Sequence, residues 1–367
     1  MRTKISIIFF LFSFTTIFSQ SNLNITLSAD YISAERMLSF FETKSGNILE
    51  LTSLKGNKIT YYTTQMIENK FSNEDLFTSH IRNFQSGIFI DDDIFKLQNS
   101  AQNLNDMKLL LNFMQRSNFT KKIVATIEQL FPKNSNLNID IPIYVVAFGN
   151  EKIDAFVRTV KWKNNFPIFS SDGEFTIVVN LSSAIEFGRN TEERALNLFS
   201  TIAHEVFHAA FGNYQKKSKT WKNFYSKFRS PIFTLLELTM NEGIAYNFSL
   251  EQKLGNYNFE NWYDKISSSF EKYNLIATQL ITEKIGSKEI FEKIKDANTS
   301  GFWENYGSVV GFVISKSIDK NFGREKLIET IENGAFDFFQ KYFECCEMDK
   351  NLPRLSEEIL KIISKKK

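Results

Sequence analysis

Five consecutive residues, His204-Glu205-Val206-Phe207-His208, constrain this chain more than any other stretch, because they set two imidazoles and a carboxylate inside an apolar segment. Leu196, Phe199, Ile202, Ala203, Val206, Phe207 and Ala210 recur around them at helical spacing. Burying the three polar groups costs several kcal/mol unless something satisfies them, on the order of what an unpaired buried charge costs. Histidines four residues apart on a helix are about 40° apart around its axis, so both project from one face and can share one tetrahedral zinc ion. Glu205 sits on the same side, where its carboxylate can take the proton of a water that the metal acidifies. The chain holds three histidines, and two of them make this motif. The competing reading is a core helix whose imidazoles bond to backbone carbonyls.

A catalytic zinc needs a third protein ligand and an open fourth position. In the compact HExxHxxGxxH pattern positions 211 and 214 would be Gly and His, but they are Phe211 and Tyr214. His80 lies far upstream in a helix that reads as surface. A carboxylate on a later helix remains, and Glu237 and Glu242 both qualify. They are five residues apart, about 140° around a helix, so the two cannot both face the metal. Small Gly243 and Ala245 beside Glu242 predict close packing of that helix on the motif helix.

The motif followed by Asn241-Glu242-Gly243-Ile244-Ala245 resembles the gluzincins, the thermolysin-like and M1-aminopeptidase-like zinc peptidases, and in layout the zinc-dependent peptidases grouped as domains of unknown function. The resemblance covers about a third of the chain. It implies a zincin-like core with one catalytic zinc on His204, His208 and Glu242, Glu205 as general base, and a peptide or protein substrate. It also implies a tyrosine that stabilises the oxyanion. Tyr306, in Glu304-Asn305-Tyr306-Gly307, is the candidate, with Tyr246 the alternative. Phe175–Asn180 takes the place of the edge strand that pairs with extended peptide, although an internal strand fits the same residues. The interval from position 208 to position 242 is longer than in familiar aminopeptidases, and their Gly-x-Met-Glu-Asn motif is absent, so an endopeptidase is expected. A helical binding or scaffold protein with a structural or inactive zinc site is the alternative of a different class.

Around this core the expected fold is mainly α with a small β-sheet. Helices are predicted at Ser33–Glu42, Glu74–Phe84, Asn103–Arg116, Thr120–Phe131 and Pro231–Leu254, and strands at Ile139–Phe148 and Phe175–Asn180. The motif helix is expected to start near Thr191, with Glu192 and Glu193 in its first turn, and to stop at Gly212-Asn213. The regions read as 1–19 signal peptide, 20–135 helical, 136–256 catalytic core, and 257–367 helical, completing the cleft. Arg2 and Lys4, the apolar run Ile5–Phe18 and small Ser19 form a secretory leader cut near Ser19-Gln20, which points to a secreted or periplasmic protein without stable membrane insertion. With 44 basic and 42 acidic residues the formal charge is +2, so nothing draws the chain to nucleic acid, and a monomer is expected. The two cysteines, Cys345 and Cys346, are adjacent and offer no long-range staple.

Overall fold

Five strands form one mixed sheet, with helices packed on both of its faces. The structure is a computed structural model that describes residues 23–68, 70, 75–150, 153–253, 261–283, 285–298 and 304–365. The expected leader and its cleavage point at Ser19-Gln20 lie outside the described residues. In chain order the elements are β1 (Leu23–Asp30), α1 (Ile32–Thr43), α2 (Ile48–Ser53), α3 (Lys55–Ile67), α4 (Asp75–Gln85), α5 (Leu97–Gln102), α6 (Leu104–Arg116), α7 (Phe119–Glu128), β2 (Leu137–Val146), β3 (Ala155–Lys163), β4 (Phe166–Phe169) and β5 (Glu174–Asn180). There follow α8 (Leu181–Ala184), α9 (Thr191–Lys217), α10 (Lys219–Lys227), α11 (Pro231–Lys253), α12 (Trp262–Thr282), α13 (Ser287–Asn298), α14 (Tyr306–Phe322), α15 (Arg324–Asn333), α16 (Ala335–Met348) and α17 (Glu357–Ser364). The fold is mainly α with one small sheet, as the sequence pattern implies.

The strand order is β1-β2-β5-β3-β4. β1 and β5 flank β2 in parallel, and β3 lies antiparallel to both β5 and β4. Residues 143–146 of β2 and 177–179 of β5 are the continuous apolar runs expected of strands covered on two faces. Ile143, Val145, Ile177 and Val179 join the main core beneath α9, while Tyr144, Val146, Val160 and Val178 meet Ile59 of α3 on the other face.

Three features depart from the sequence-based expectations. β1 enters the sheet from a stretch that reads as preceding the first helix; all of its residues but Ile25 are half-buried or exposed, which dilutes its apolar signal. The hairpin β3–β4 turns on Asn164 and Asn165, both with positive φ, the two-residue turn whose twist suits a hairpin. Phe175–Asn180 is an interior strand, not an edge, because β3 covers its second side.

α9 starts at Thr191, as expected, and is longer at its end. Asn190 caps it, its side chain accepting from the Glu193 amide at 2.9 Å. The helix then runs through Gly212-Asn213 to Lys217. Gly212 serves contact instead of termination: a Cβ there would come within 2.7 Å of the Phe175 ring. Gly243 likewise faces away from α9. Its Cα–H surface meets Gly311 of α14, where an added Cβ would stand 2.3 Å from backbone atoms. Cys345 and Cys346 are free and buried. Among the described residues no helix is long and apolar enough to cross a membrane.

Candidate metal centre

α9 and α11 cross so that three side chains converge. His204 Nε2 and His208 Nε2 lie 2.8 Å apart, and the Glu242 carboxylate reaches each of them at 3.4 Å. These ligand atoms all fall within 4.8 Å of one another, and no other such group of three occurs among the described residues. The α-helical repeat puts His204 and His208 one above the other, and the tight α11–α14 contact seats the Glu242 turn opposite them.

The second ring nitrogens are held as well. His208 Nδ1 pairs with Asn241 Oδ1 at 2.9 Å, so the ring donates there and presents Nε2 as a bare lone pair. His204 Nδ1 faces the Ser249 hydroxyl at 3.5 Å, and Ser200 Oγ donates to the Ser249 carbonyl at 2.6 Å, tying α9 to α11. Two imidazole lone pairs and a carboxylate aimed at one point repel one another unless a cation or a proton lies between them. A tetrahedral ion with bonds of about 2.0–2.1 Å keeps its ligands about 3.3 Å apart, close to the spacing found. Nitrogen and carboxylate donors in this number suit zinc.

The electrostatics carry the same signature. Burial works against a proton on His208, but the Glu242 and Glu205 carboxylates and Asn241 outweigh it and hold its pKa up at about 9. Burial also penalises the Glu242 charge, yet His208 and His204 bring that group down to about 2. Glu205 is pushed up to about 7, first by burial, with the Glu242 and Asp154 charges adding and His208 and Arg158 opposing. A carboxylate in that range suits proton transfer near neutrality.

The remaining sequence candidates divide. Glu237 is buried apart from the three converging groups, with Gln215 Nε2 donating to its Oε1 at 2.8 Å. Burial raises its pKa, and the Tyr225 hydroxyl is a further partner. Tyr306 opens α14 but its hydroxyl donates to the Lys293 carbonyl at 2.7 Å, and no contact joins it to the converging groups. Tyr246 is the tyrosine against the ligands, its ring centroid 4.3 Å from that of His204. His80 is buried, not on a surface face, beside Asp93 and the Phe95 ring.

Asn241, Ser249, Asp154 and Arg158 escape a reading of the sequence. Asn241 alone carried a signal, as the neighbour of Glu242. Asp154 accepts from Thr201 Oγ1 at 2.9 Å and so fixes the start of β3 one turn before Glu205. That contact brings an open stretch of backbone to the site. β4 pairs with β3 only from Val160 to Lys163, and among the described residues no strand covers Ala155–Arg158 on that side. The edge available to an extended ligand therefore belongs to β3, whereas Phe175–Asn180 has none.

A family model described as "Putative zinc dependent peptidase (DUF5700)" matches residues 45–351. No curated protein and no solved structure matches the chain.

Proposed function

The chain belongs to the family described as "Putative zinc dependent peptidase (DUF5700)", and on that premise we propose that it is a secreted, gluzincin-type zinc metallopeptidase with Glu205 as general base. The observation that carries the proposal is the convergence of His204, His208 and Glu242 on one point beside the Glu205 carboxylate. Zinc held there supplies Lewis-acid polarisation of a carbonyl and acidification of water. Glu205 accepts the proton of the attacking water and returns it to the amine that leaves. Asn241 keeps His208 in the tautomer that offers Nε2. Of the tyrosines, Tyr246 is better supported than Tyr306 as a donor near the reacting carbonyl, since the Tyr306 hydroxyl is committed to Lys293.

Substrate binding along the open edge of β3 fits an endopeptidase, because backbone pairing accepts an extended chain without reading its ends. The basic and apolar leader at Arg2–Phe18 supports export.

Replacing Glu205 by Gln tests the mechanism. The variant should keep one zinc per chain and lose peptide cleavage by about 10²–10⁴-fold, the usual contribution of a positioned base. Unchanged turnover with zinc bound would remove Glu205 from the mechanism. A wild-type protein that binds zinc but cleaves no peptide in a broad substrate screen would favour a scaffold with a structural metal.

A further inference from the structure

Arg158 stands, half-buried, on the uncovered part of β3. The Thr159 carbonyl accepts from the amide of Ser170, just past β4, and carbonyls two residues apart on a strand point the same way. The Val157 carbonyl therefore faces the open edge. Arg158 Nη1 donates to it at 3.0 Å, so the side chain curls back over its own strand. The guanidinium lies on an aromatic shelf, 5.1 Å from the Phe156 ring centroid and 5.9 Å from that of Phe169. Its position lets it act electrostatically on Glu205, the proposed base.

Among the described residues no carboxylate forms an ion pair with Arg158, although Glu205 lies within its field. A guanidinium carries five N–H donors, and among the described residues the Val157 carbonyl is the acceptor found for them. Desolvation penalises the charge, so a fold that keeps it here without a carboxylate leaves it ready for an anion from outside. The planar fork matches a carboxylate, and the aromatic shelf limits its rotation.

Building on the metallopeptidase reading, we propose that Arg158 is a specificity residue that anchors a carboxylate of the substrate close to the scissile bond. An incoming strand that pairs with Val157 displaces the guanidinium from the Val157 carbonyl and frees its donors for that carboxylate. The substrate class is thus peptides with an acidic side chain, or a C-terminal carboxylate, beside the cleaved bond.

The test uses the zinc-loaded full chain and a library of extended peptides, N-acetylated and C-amidated, with each position fixed in turn as Glu or Gln. A second pool carries free C-termini. Cleavage by wild type, Arg158→Gln and Arg158→Lys is read by mass spectrometry, with Lys222→Gln as a surface control. Capture of the same pools by Glu205→Gln, with and without Arg158→Gln, supplies a readout independent of turnover. Wild type should favour one carboxylate placement by about 10–100-fold, the effect expected of a charge-assisted hydrogen-bonded pair. Arg158→Gln should bring the Glu-to-Gln cleavage ratio at that position to about one, whatever the absolute rate, and Arg158→Lys should retain part of the preference. Preference for Glu at one position identifies a side chain; preference for the free C-terminus identifies the chain end. Cleavage without an Arg158-dependent preference overturns the anchor and leaves the peptidase standing. So does an equal loss of turnover on all pools, which would assign Arg158 to the transition state. Arg158-dependent capture without cleavage by wild type overturns the peptidase and leaves the anchor. Neither capture nor cleavage overturns both.

Discussion

Glu237 and Glu242 show how much the position of one carboxylate decides. Both sit on α11, both are shielded from solvent, and Glu237 feels the charge of Glu242. Glu242 meets two imidazoles, whereas Glu237 is satisfied by neutral donors, Gln215 and Tyr225. Replacing Glu242 by Ala should therefore abolish stoichiometric zinc, while Glu237→Ala should keep it and lower the melting temperature. Metal analysis of the two purified variants separates them, and zinc retained in Glu242→Ala would exclude that residue as a ligand. Asn241 acts one step further out. With Asn241→Ala the His208 ring loses its orienting acceptor, and zinc affinity should fall by about 10–100-fold in a competitive chelator titration.

Among the elements, the α11–α14 contact is the one on which the site depends. Gly243 follows Glu242 directly, and its missing side chain lets the α14 backbone at Gly311 come close. The reverse holds too, since a Cβ on Gly311 would stand 2.1 Å from the Thr239 carbonyl. Neither obstacle is the far end of a flexible side chain, so the helices must separate to admit a methyl group. Gly243→Ala should destabilise the protein by about 1–3 kcal/mol or more and shift the Glu242 turn. Thermal melting with and without zinc checks this: the variant should melt lower and gain less from the metal than wild type. An unchanged melt would mean the two helices have room to relax. The glycine was visible in the sequence next to Glu242, but its direction was not. Neighbouring residues on a helix are about 100° apart, so a glycine beside a ligand on α9's side necessarily faces something else.

For the whole molecule, the buried charges set a pH dependence that metal should reverse. Glu205 and His208 have folded-state pKa values of about 7 and about 9, both above their ordinary values of 4.5 and 6.5. A raised pKa means the folded chain holds a proton that the unfolded chain has released. The associated stability is present below the ordinary value and is lost as pH rises through the folded one. Zinc-stripped protein should thus melt at progressively lower temperature from about pH 5 towards pH 9. Zinc displaces the same protons, so its added stabilisation should grow over that range. A zinc-stripped protein that becomes more stable between pH 5 and pH 9 would contradict the assignment of these groups.

The sequence alone determined the motif helix, its two imidazoles and their shared face, because helical periodicity is local and a spacing of four residues settles it. The class of fold was legible for the same reason: amphipathic runs such as Asn103–Arg116 and the dense β-branched run at Ile139–Phe148 announce themselves within one element. What tertiary structure decided is everything that depends on which element lies next to which. It chose β3 over Phe175–Asn180 as the open edge, committed the Tyr306 hydroxyl to Lys293 while leaving Tyr246 against His204, and turned Gly212 from an expected stop into a seat for the Phe175 ring. It also put the charges of Arg158 and Asp154, with no motif of their own, where they act on Glu205. Strand order and helix contact arise from packing between residues distant in the chain, and a local pattern carries no record of them.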